Sequence, residues 1–333
     1  MESLLFAVNA VFPIVLMVVI GYVIKLIGFV NEDFIKRANK LVFRVFLPAM
    51  LFLNVYKINN LADIDFGYVG YVIGVTLVVF FIMLALVIKI TPDDDKRGTL
   101  LQGTFRSNYA LVGIPLATAL FDAPGAAVAT LLSVALIPTY NVLAVTSLSI
   151  FRKGSDDKKG ALGIIKRVGL GILKNPLILS IAAGCVALLI RIFFVRFGVD
   201  FRLSDVTPVY KVLESLSAVA TPLSLIVLGG QFEFSAIKSL RREIIIGTLV
   251  KGAIVPLLAL GFAYFFLRQS FSGAHFAAFV AAFATPTGVS TVPMAQELDG
   301  NVTLAGQLVV WTTLLSGFVI FLASFVLKLV GIF

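Results

Sequence analysis

The chain has 333 residues, of which 59% are hydrophobic and 14% are charged, and its formal net charge is +9. In soluble domains about a quarter of the residues are charged, so this composition excludes an ordinary soluble protein and indicates helices that cross a membrane. One cysteine and one histidine exclude a disulfide framework and a soft-ligand metal site, and no cofactor is predicted. The basic excess is typical of cytoplasmic loops rather than of nucleic-acid binding.

Ten apolar stretches follow one another along the chain, each long enough to cross a bilayer. The first begins after Glu2 without a basic leader and is longer than the apolar core of a signal peptide, so it is predicted to remain as a span. The predicted spans are residues 4–28, 36–57, 66–90, 98–121, 125–150, 175–197, 206–231, 242–267, 272–298 and 302–329. The fold class is therefore predicted to be an all-α polytopic membrane protein.

The longest predicted loop, residues 151–174, separates five spans from five and contains seven Lys or Arg residues. We predict a basic cytoplasmic linker here, between a first repeat (1–150) and a second repeat (175–333); contact with anionic lipid is a second reading of its charge. The loops on the side of the linker hold 17 Lys and Arg residues, and the opposite loops hold 6. Both termini are therefore predicted to lie outside the cytoplasm.

The two halves resemble each other where their spans are interrupted. SNYALVGIP (107–115) in span four and TPTGVSTVP (285–293) in span nine both end at a proline. Asn108 and Pro286 each stand seven residues before that proline. Because each repeat has an odd number of spans, the second repeat is predicted to be inverted in the membrane.

Interrupted spans at corresponding positions of inverted repeats indicate a transporter binding site near the bilayer midplane. Pro115 and Pro293 suit the first turn of the helices that restart after each interruption. Gly113 suits the turn itself, and Ser290 or Thr291 suits a helix cap. The positive ends of both restarted helices would then face one point and favour an anion. The alternative is that these prolines and glycines are ordinary kinks of membrane helices.

Six segments together resemble the auxin efflux carrier family, whose bacterial members include permeases for malate, malonate and similar acids. The segments are LPAMLF (47–52), SNYALVGIP, IPTYN (137–141), KNPLILSIAAG (174–184), ATPLSLIVLGG (220–230) and TPTGVSTVP. The resemblance implies a ten-helix inverted-repeat fold like that of sodium/proton antiporters and bile-acid symporters. It also implies a dimerising scaffold of helices 1, 2, 6 and 7 and a moving, elevator-type transport domain of helices 3–5 and 8–10.

The same resemblance implies a substrate site where the two interrupted helices cross. In this chain the matching residues are Asn108, Pro115, Pro286 and Pro293, with Asn141 from span five. The plant carriers also have charged residues in the third span. Residues 66–88 contain none, so that part of the plant proton chemistry is not implied here.

Two basic residues are predicted to lie near the midplane. Arg106 is about eight residues into span four and Lys251 about nine into span eight, which at about 1.5 Å per residue puts both roughly 12–14 Å deep. Charged groups at this depth are functional candidates, either to attract a carboxylate or to stand in for a coupling cation; snorkelling to the headgroups is the alternative. Glu214 is predicted first as a local ion pair with Lys211 and second as a proton carrier.

Other residues of the interruptions and their surroundings complete the predicted substrate site, although some of them can serve as helix–helix contacts instead. They are Asn54, Tyr109, Gly113, Ile114, Thr285, Thr287, Ser290, Thr291 and Gln307. The function predicted is secondary active transport of a small organic anion, most simply a carboxylate. H⁺ is preferred to Na⁺ as the coupling ion because no acidic residue lies near the interruptions.

The alternative function within transport is cation-coupled symport of a larger amphipathic acid of the bile-acid type. An intramembrane enzyme would need paired aspartates, a nucleophile with a histidine, or a metal motif, none of which the sequence contains, so no enzyme is predicted. A channel or a receptor is a further alternative. The predicted setting is the bacterial cytoplasmic (inner) membrane, with lipid and a second copy of the chain as partners and no nucleic acid.

Overall fold

The computed structural model describes residues 2–57, 65–152, 160–199 and 201–333, which are built from α-helices. The helices are α1 (Glu2–Leu26), α2 (Glu32–Tyr56), α3 (Phe66–Ile90), α4 (Asp94–Phe105), α5 (Tyr109–Ile150), α6 (Gly160–Lys174), α7 (Pro176–Arg196), α8 (Thr207–Gln231), α9 (Ala236–Ser239), α10 (Arg241–Leu267), α11 (Gly273–Phe283), α12 (Thr291–Glu297) and α13 (Val302–Leu329). Within the described ranges, seven helices are long and apolar enough to cross a membrane: α2, α3, α5, α7, α8, α10 and α13.

The remaining predicted spans are shorter or divided. The described apolar part of α1 is Phe12–Leu26, and the predicted ninth span is divided into α11 and α12. The predicted fourth span is divided into α4 and the beginning of α5. The backbone of α5 is not helical at Phe121 and Asp122, where Asp122 has a φ of 45°, so the chain changes direction between the predicted fourth and fifth spans.

The second part of the predicted linker is helical. Residues 153–159 lie outside the described residues, but α6 occupies the second part of the linker and packs against α5 and α7. The prediction of a loop through residue 174 is therefore wrong for α6. Its apolar residues, among them Leu170 and Leu173, recur at helical spacing, with Lys166, Arg167 and Lys174 between and after them. The prediction of a loop rested only on the charge of this segment.

Three helices contain one wide turn shortly before a proline. The turns and prolines are Val42–Phe46 with Pro48 in α2, Tyr109–Gly113 with Pro115 in α5, and Val250–Ile254 with Pro256 in α10. A proline lacks an N–H, and its ring collides with the carbonyl four residues earlier. A wide turn moves that carbonyl aside, and such turns are frequent at functional sites.

The helices pack in two groups. The first group is α1, α2, α7 and α8, in which α1 packs against α8 and α2 packs against α7 and α8. Contact between α1 and α8 is close enough that a Cβ at Gly229 would lie 1.9 Å from the carbonyl oxygen of Val18. The second group is α3–α5 with α10–α13, which pack mainly against one another. These are the helices that the resemblance assigns to the scaffold and to the transport domain.

Polar contacts between the two groups gather at the end of α12. Arg44 of α2 pairs with Glu297 at 3.1 Å, and the Asn39 amide donates to Gln296 Oε1 at 2.7 Å. Gln231 of α8 donates to the same oxygen at 3.1 Å. We call these five residues the interface latch. By the charge of the loops, the latch lies on the predicted cytoplasmic side.

Candidate functional site

The two interruptions predicted from the sequence lie against each other. Residues 106–108 separate α4 from α5, and residues 284–290 separate α11 from α12. Ser107 and Thr287 face each other in an isolated antiparallel β-bridge. The predicted spans four and nine are therefore both interrupted, and they meet at their interruptions.

Backbone hydrogen bonds join the interruptions directly. The Asn108 N–H donates to Pro286 O at 2.8 Å, and the Gly288 N–H donates to Arg106 O at 3.2 Å. Backbone groups that leave a helix within a membrane must find partners in the protein, because lipid provides none. Each interruption supplies the partners that the other one lacks.

A cavity of about 50 Å³ lies where the interruptions meet α2 and α8. Its apolar walls include Leu47, Met50 and Leu51 of α2. Its polar lining consists of Arg106, Ser107, Asn108, Tyr109, Tyr140, Asn141, Thr221, Ser224 and Ser290. Among the described residues that line it, Arg106 is the one with a charged side chain. The cavity thus lies between the two groups of helices and has a positive wall.

Arg106 is 4% exposed, and its contacts are all neutral. The guanidinium donates to Asn141 Oδ1 at 3.0 Å and to Ser290 Oγ at 2.8 Å, and it also contacts the sulfur of Met294. Across the described ranges, no carboxylate pairs with it. A buried charge without a counter-charge is costly, so an anion bound in the cavity would offset a cost that the protein otherwise bears.

Asn108 and Asn141 place two carboxamides at the cavity. The side chain of Asn108 is buried, yet it makes no hydrogen bond to any described residue. Because a carboxamide offers two N–H donors and one oxygen acceptor, this group is available to a bound molecule. Asn141 accepts from Arg106 and donates to Ile137 O at 2.9 Å, so it orients the guanidinium.

Lys251 lies behind the lining of the cavity. It is 1% exposed, and its ammonium donates to Ser107 Oγ at 2.7 Å and to Phe283 O at 2.9 Å. Ser107 belongs to the first interruption, and Phe283 ends the helix before the second. Lys251 therefore supports both interruptions without lining the cavity itself.

A model of the membrane transport protein family matches residues 6–323. The chain belongs to this family. The match confirms the resemblance to the auxin efflux carrier family. A protein of Methanothermobacter thermautotrophicus described as an uncharacterized transporter is 24% identical over 312 residues, which cover 92% of this chain and 94% of the relative. The family and this relative are transporters rather than enzymes, and the apolar helices agree with an integral membrane protein.

Five of the residues predicted to bind substrate line the cavity of this transporter: Arg106, Asn108, Tyr109, Asn141 and Ser290. The other predicted residues are outside its lining. They are Asn54, Gly113, Ile114, Pro115, Lys251, Thr285, Pro286, Thr287, Thr291, Pro293 and Gln307. Some of these hold the backbone instead: the Thr287 hydroxyl donates to Gly103 O at 2.8 Å, and the Gln307 amide donates to Glu233 O at 2.7 Å.

Two predicted local roles are wrong. Gly113 has helical φ and ψ of −66° and −53°, so it ends the wide helical turn Tyr109–Gly113 and does not form the non-helical turn predicted for it. Its lack of a side chain matters for packing, because a Cβ there would lie 3.1 Å from Ala281 O of α11. Ser290 precedes α12 without capping it, and its hydroxyl accepts from Arg106 instead. Thr291 does not cap α12 either, since it lies inside the helix.

The predicted pairing of Glu214 with Lys211 is also wrong. Glu214 of α8 accepts from Lys57 at the end of α2 at 2.9 Å, and both side chains are about half exposed. An ion pair between neighbouring helices replaces the expected pair on one helix. Glu214 is also outside the lining of the cavity, and its role as a proton carrier stays a prediction.

Four polar residues of the lining were missed from the sequence: Ser107, Tyr140, Thr221 and Ser224. Each lies within or beside a segment that carries the family resemblance, namely SNYALVGIP, IPTYN and ATPLSLIVLGG. Position in those segments was the available signal. Their direction toward a common cavity depends on the packing of α5 and α8 against the interruptions.

Proposed function

We propose that this protein is a secondary active transporter of a small organic anion, a carboxylate, which binds in the cavity between the interruptions and helices α2 and α8. The observation that carries the proposal is the burial of Arg106 in that cavity with neutral partners. A carboxylate matches the fork of a guanidinium and would supply the counter-charge. The free carboxamide of Asn108 offers further hydrogen bonds to the same ligand.

Two features favour a small acid over the larger amphipathic acid of the alternative reading. The cavity of about 50 Å³ is far smaller than the pockets of roughly 300–1,000 Å³ that enclose drug-sized ligands. Hydroxyl and carboxamide groups also line the cavity, together with the apolar wall of α2, and they suit the oxygens of a small acid. The apolar body of a bile-acid-type molecule would need a much larger volume than this cavity provides.

The proposed mechanism is alternating access of the elevator type. In this mechanism the second packing group, α3–α5 with α10–α13, is the transport domain. It moves past a scaffold formed by the first group, α1, α2, α7 and α8, and carries the cavity with it. The cavity lies at the boundary between these groups, where relative movement would change its access. The interface latch joins the groups on the predicted cytoplasmic side, which supports closure on that side in this conformation.

The remaining proposals concern setting and coupling. We propose an inverted repeat of five and five helices in the cytoplasmic membrane of a bacterium, with both termini outside the cytoplasm and a homodimer formed through the scaffold. H⁺ remains the proposed coupling ion. This rests on the lining of the cavity, which in the described ranges offers no carboxylate to bind Na⁺.

The test is uptake into proteoliposomes that contain the purified full-length protein. Radiolabelled acetate, malonate, malate and taurocholate would be offered while pH, sodium and voltage are set independently, with protein-free liposomes as the control. Saturable uptake of a small acid, without competition from its neutral diamide, is the expected result. Uptake of taurocholate alone would support the alternative, and currents far beyond carrier turnover would support a channel. Uptake of none of the acids would overturn the proposal.

A further inference from the structure

The ammonium of Lys251 has an oxygen environment that resembles a cation site. It donates to a main-chain oxygen of α11, Phe283 O at 2.9 Å, and to the Ser107 hydroxyl at 2.7 Å. The Ser107 hydroxyl in turn donates to Ala282 O, and the Tyr140 hydroxyl donates to the same carbonyl at 3.4 Å. All of these oxygens are neutral, and no carboxylate in the described residues pairs with Lys251.

These carbonyls lie at the C-terminal end of α11, where the chain leaves the helix. The last carbonyls of a helix have no partner within it and carry a partial negative charge. In transporters with broken helices, such carbonyl ends coordinate the coupling cation. Lys251 brings a positive charge to this position from α10, and at 1% exposure water has little access to it.

We propose that the ammonium of Lys251 is a tethered cation that occupies the position of a coupling ion and makes transport independent of sodium. The inference rests on the proposed function, since it concerns the same crossing of helices. Lys251 acts as a positioning residue and not as a ligand of the substrate. By holding Ser107 against the end of α11, it fixes the residues on either side of Ser107, which are Arg106 and Asn108.

A thermal measurement tests the cation site without any substrate. The melting temperature of the detergent-purified Lys251→Ala variant would be compared in choline, sodium, ammonium and methylammonium chloride at equal ionic strength. We expect a lower melting temperature in choline and a rise of at least about 2 °C with a small cation, because a ligand that binds the folded state stabilises it. The wild-type protein and the exposed-residue control Lys211→Ala should show no such rise. An equal rise in the control would overturn the inference.

Transport provides the second measurement. With the acid that the wild-type protein carries best in the panel above, uptake by Lys251→Ala in choline should fall by about tenfold or more, because buried oxygens lose their donor. Methylammonium should restore part of it, and Lys251→Arg should retain more uptake than the near-isosteric Lys251→Met. Full activity of Lys251→Met would overturn the inference.

The two proposals fail in different ways. If the wild-type protein carries no acid, the proposed function fails, while the thermal measurement still decides the cation site. If the wild-type protein carries an acid and its uptake stops when choline replaces sodium, the carrier stands and the tethered cation is overturned. This last comparison needs no variant, so it decides the matter even if Lys251→Ala does not fold.

Discussion

Replacement of Arg106 by glutamine separates a role in binding from a role in folding. The substitution removes the positive charge from the cavity and keeps a side chain that can form hydrogen bonds. In the structure the guanidinium is 4% exposed and has three neutral partners, which are Asn141, Ser290 and Met294. No carboxylate in the described ranges pairs with Arg106, so a bound carboxylate would supply its counter-charge. The loss of the positive charge should therefore affect the bound state far more than the empty state.

The two effects can be estimated separately. Truncation of one partner of a buried charge pair costs about 2–5 kcal/mol, which corresponds to roughly 30-fold to several-thousand-fold weaker binding of the acid. In the empty protein, the loss of three hydrogen bonds costs about 0.5–1.5 kcal/mol each. Removal of a buried cation without a counter-charge gains back several kcal/mol of desolvation free energy. The melting temperature of Arg106→Gln should therefore equal or exceed that of the wild-type protein.

The assay combines concentration-dependent uptake in proteoliposomes with thermal unfolding of the same preparation. Arg268→Gln is the matched control, because Arg268 is exposed and stacks on Tyr264 at the end of α10. The control should leave both measurements unchanged, and Arg106→Lys should fall between the wild-type protein and Arg106→Gln. Unchanged half-saturation for Arg106→Gln, or a marked loss of melting temperature without a change in uptake, would refute the assignment of Arg106 as the anion ligand.

Three more predictions follow from single contacts. Asn108→Ala should reduce uptake by about tenfold with an unchanged melting temperature, since its carboxamide has no partner within the described part of the chain; a fall in melting temperature would show a structural role instead. Gly229→Ala should lower the unfolding free energy by about 1–3 kcal/mol because the new Cβ meets backbone of α1, whereas Gly261→Ala, which meets nothing within 4 Å, should not. In a double-mutant cycle of Arg44→Gln and Glu297→Gln, the coupling should be below about 1 kcal/mol because the pair is partly exposed, and a larger value would contradict this.

Membrane class and the location of the breaks followed from local properties of the chain. Long apolar stretches can satisfy their backbone in lipid only as helices, so length and composition are enough to predict spans such as α3 and α7. Proline lacks a donor and glycine and serine tolerate irregular backbone, so SNYALVGIP and TPTGVSTVP predict their own interruptions. The inverted order of the repeats and the moving domains remain predictions.

The direction of each polar side chain depended on helices far apart in the chain. Arg106 and Lys251 are equivalent in the sequence, as two basic residues at similar depth, yet Arg106 lines the cavity and Lys251 lies behind it. Lys251 meets the Ser107 hydroxyl across 144 residues of chain, and Glu214 meets Lys57 across 157. Spacing along one helix sets which face a residue occupies, but the oxygen or charge that it reaches is determined by the helix that packs against that face.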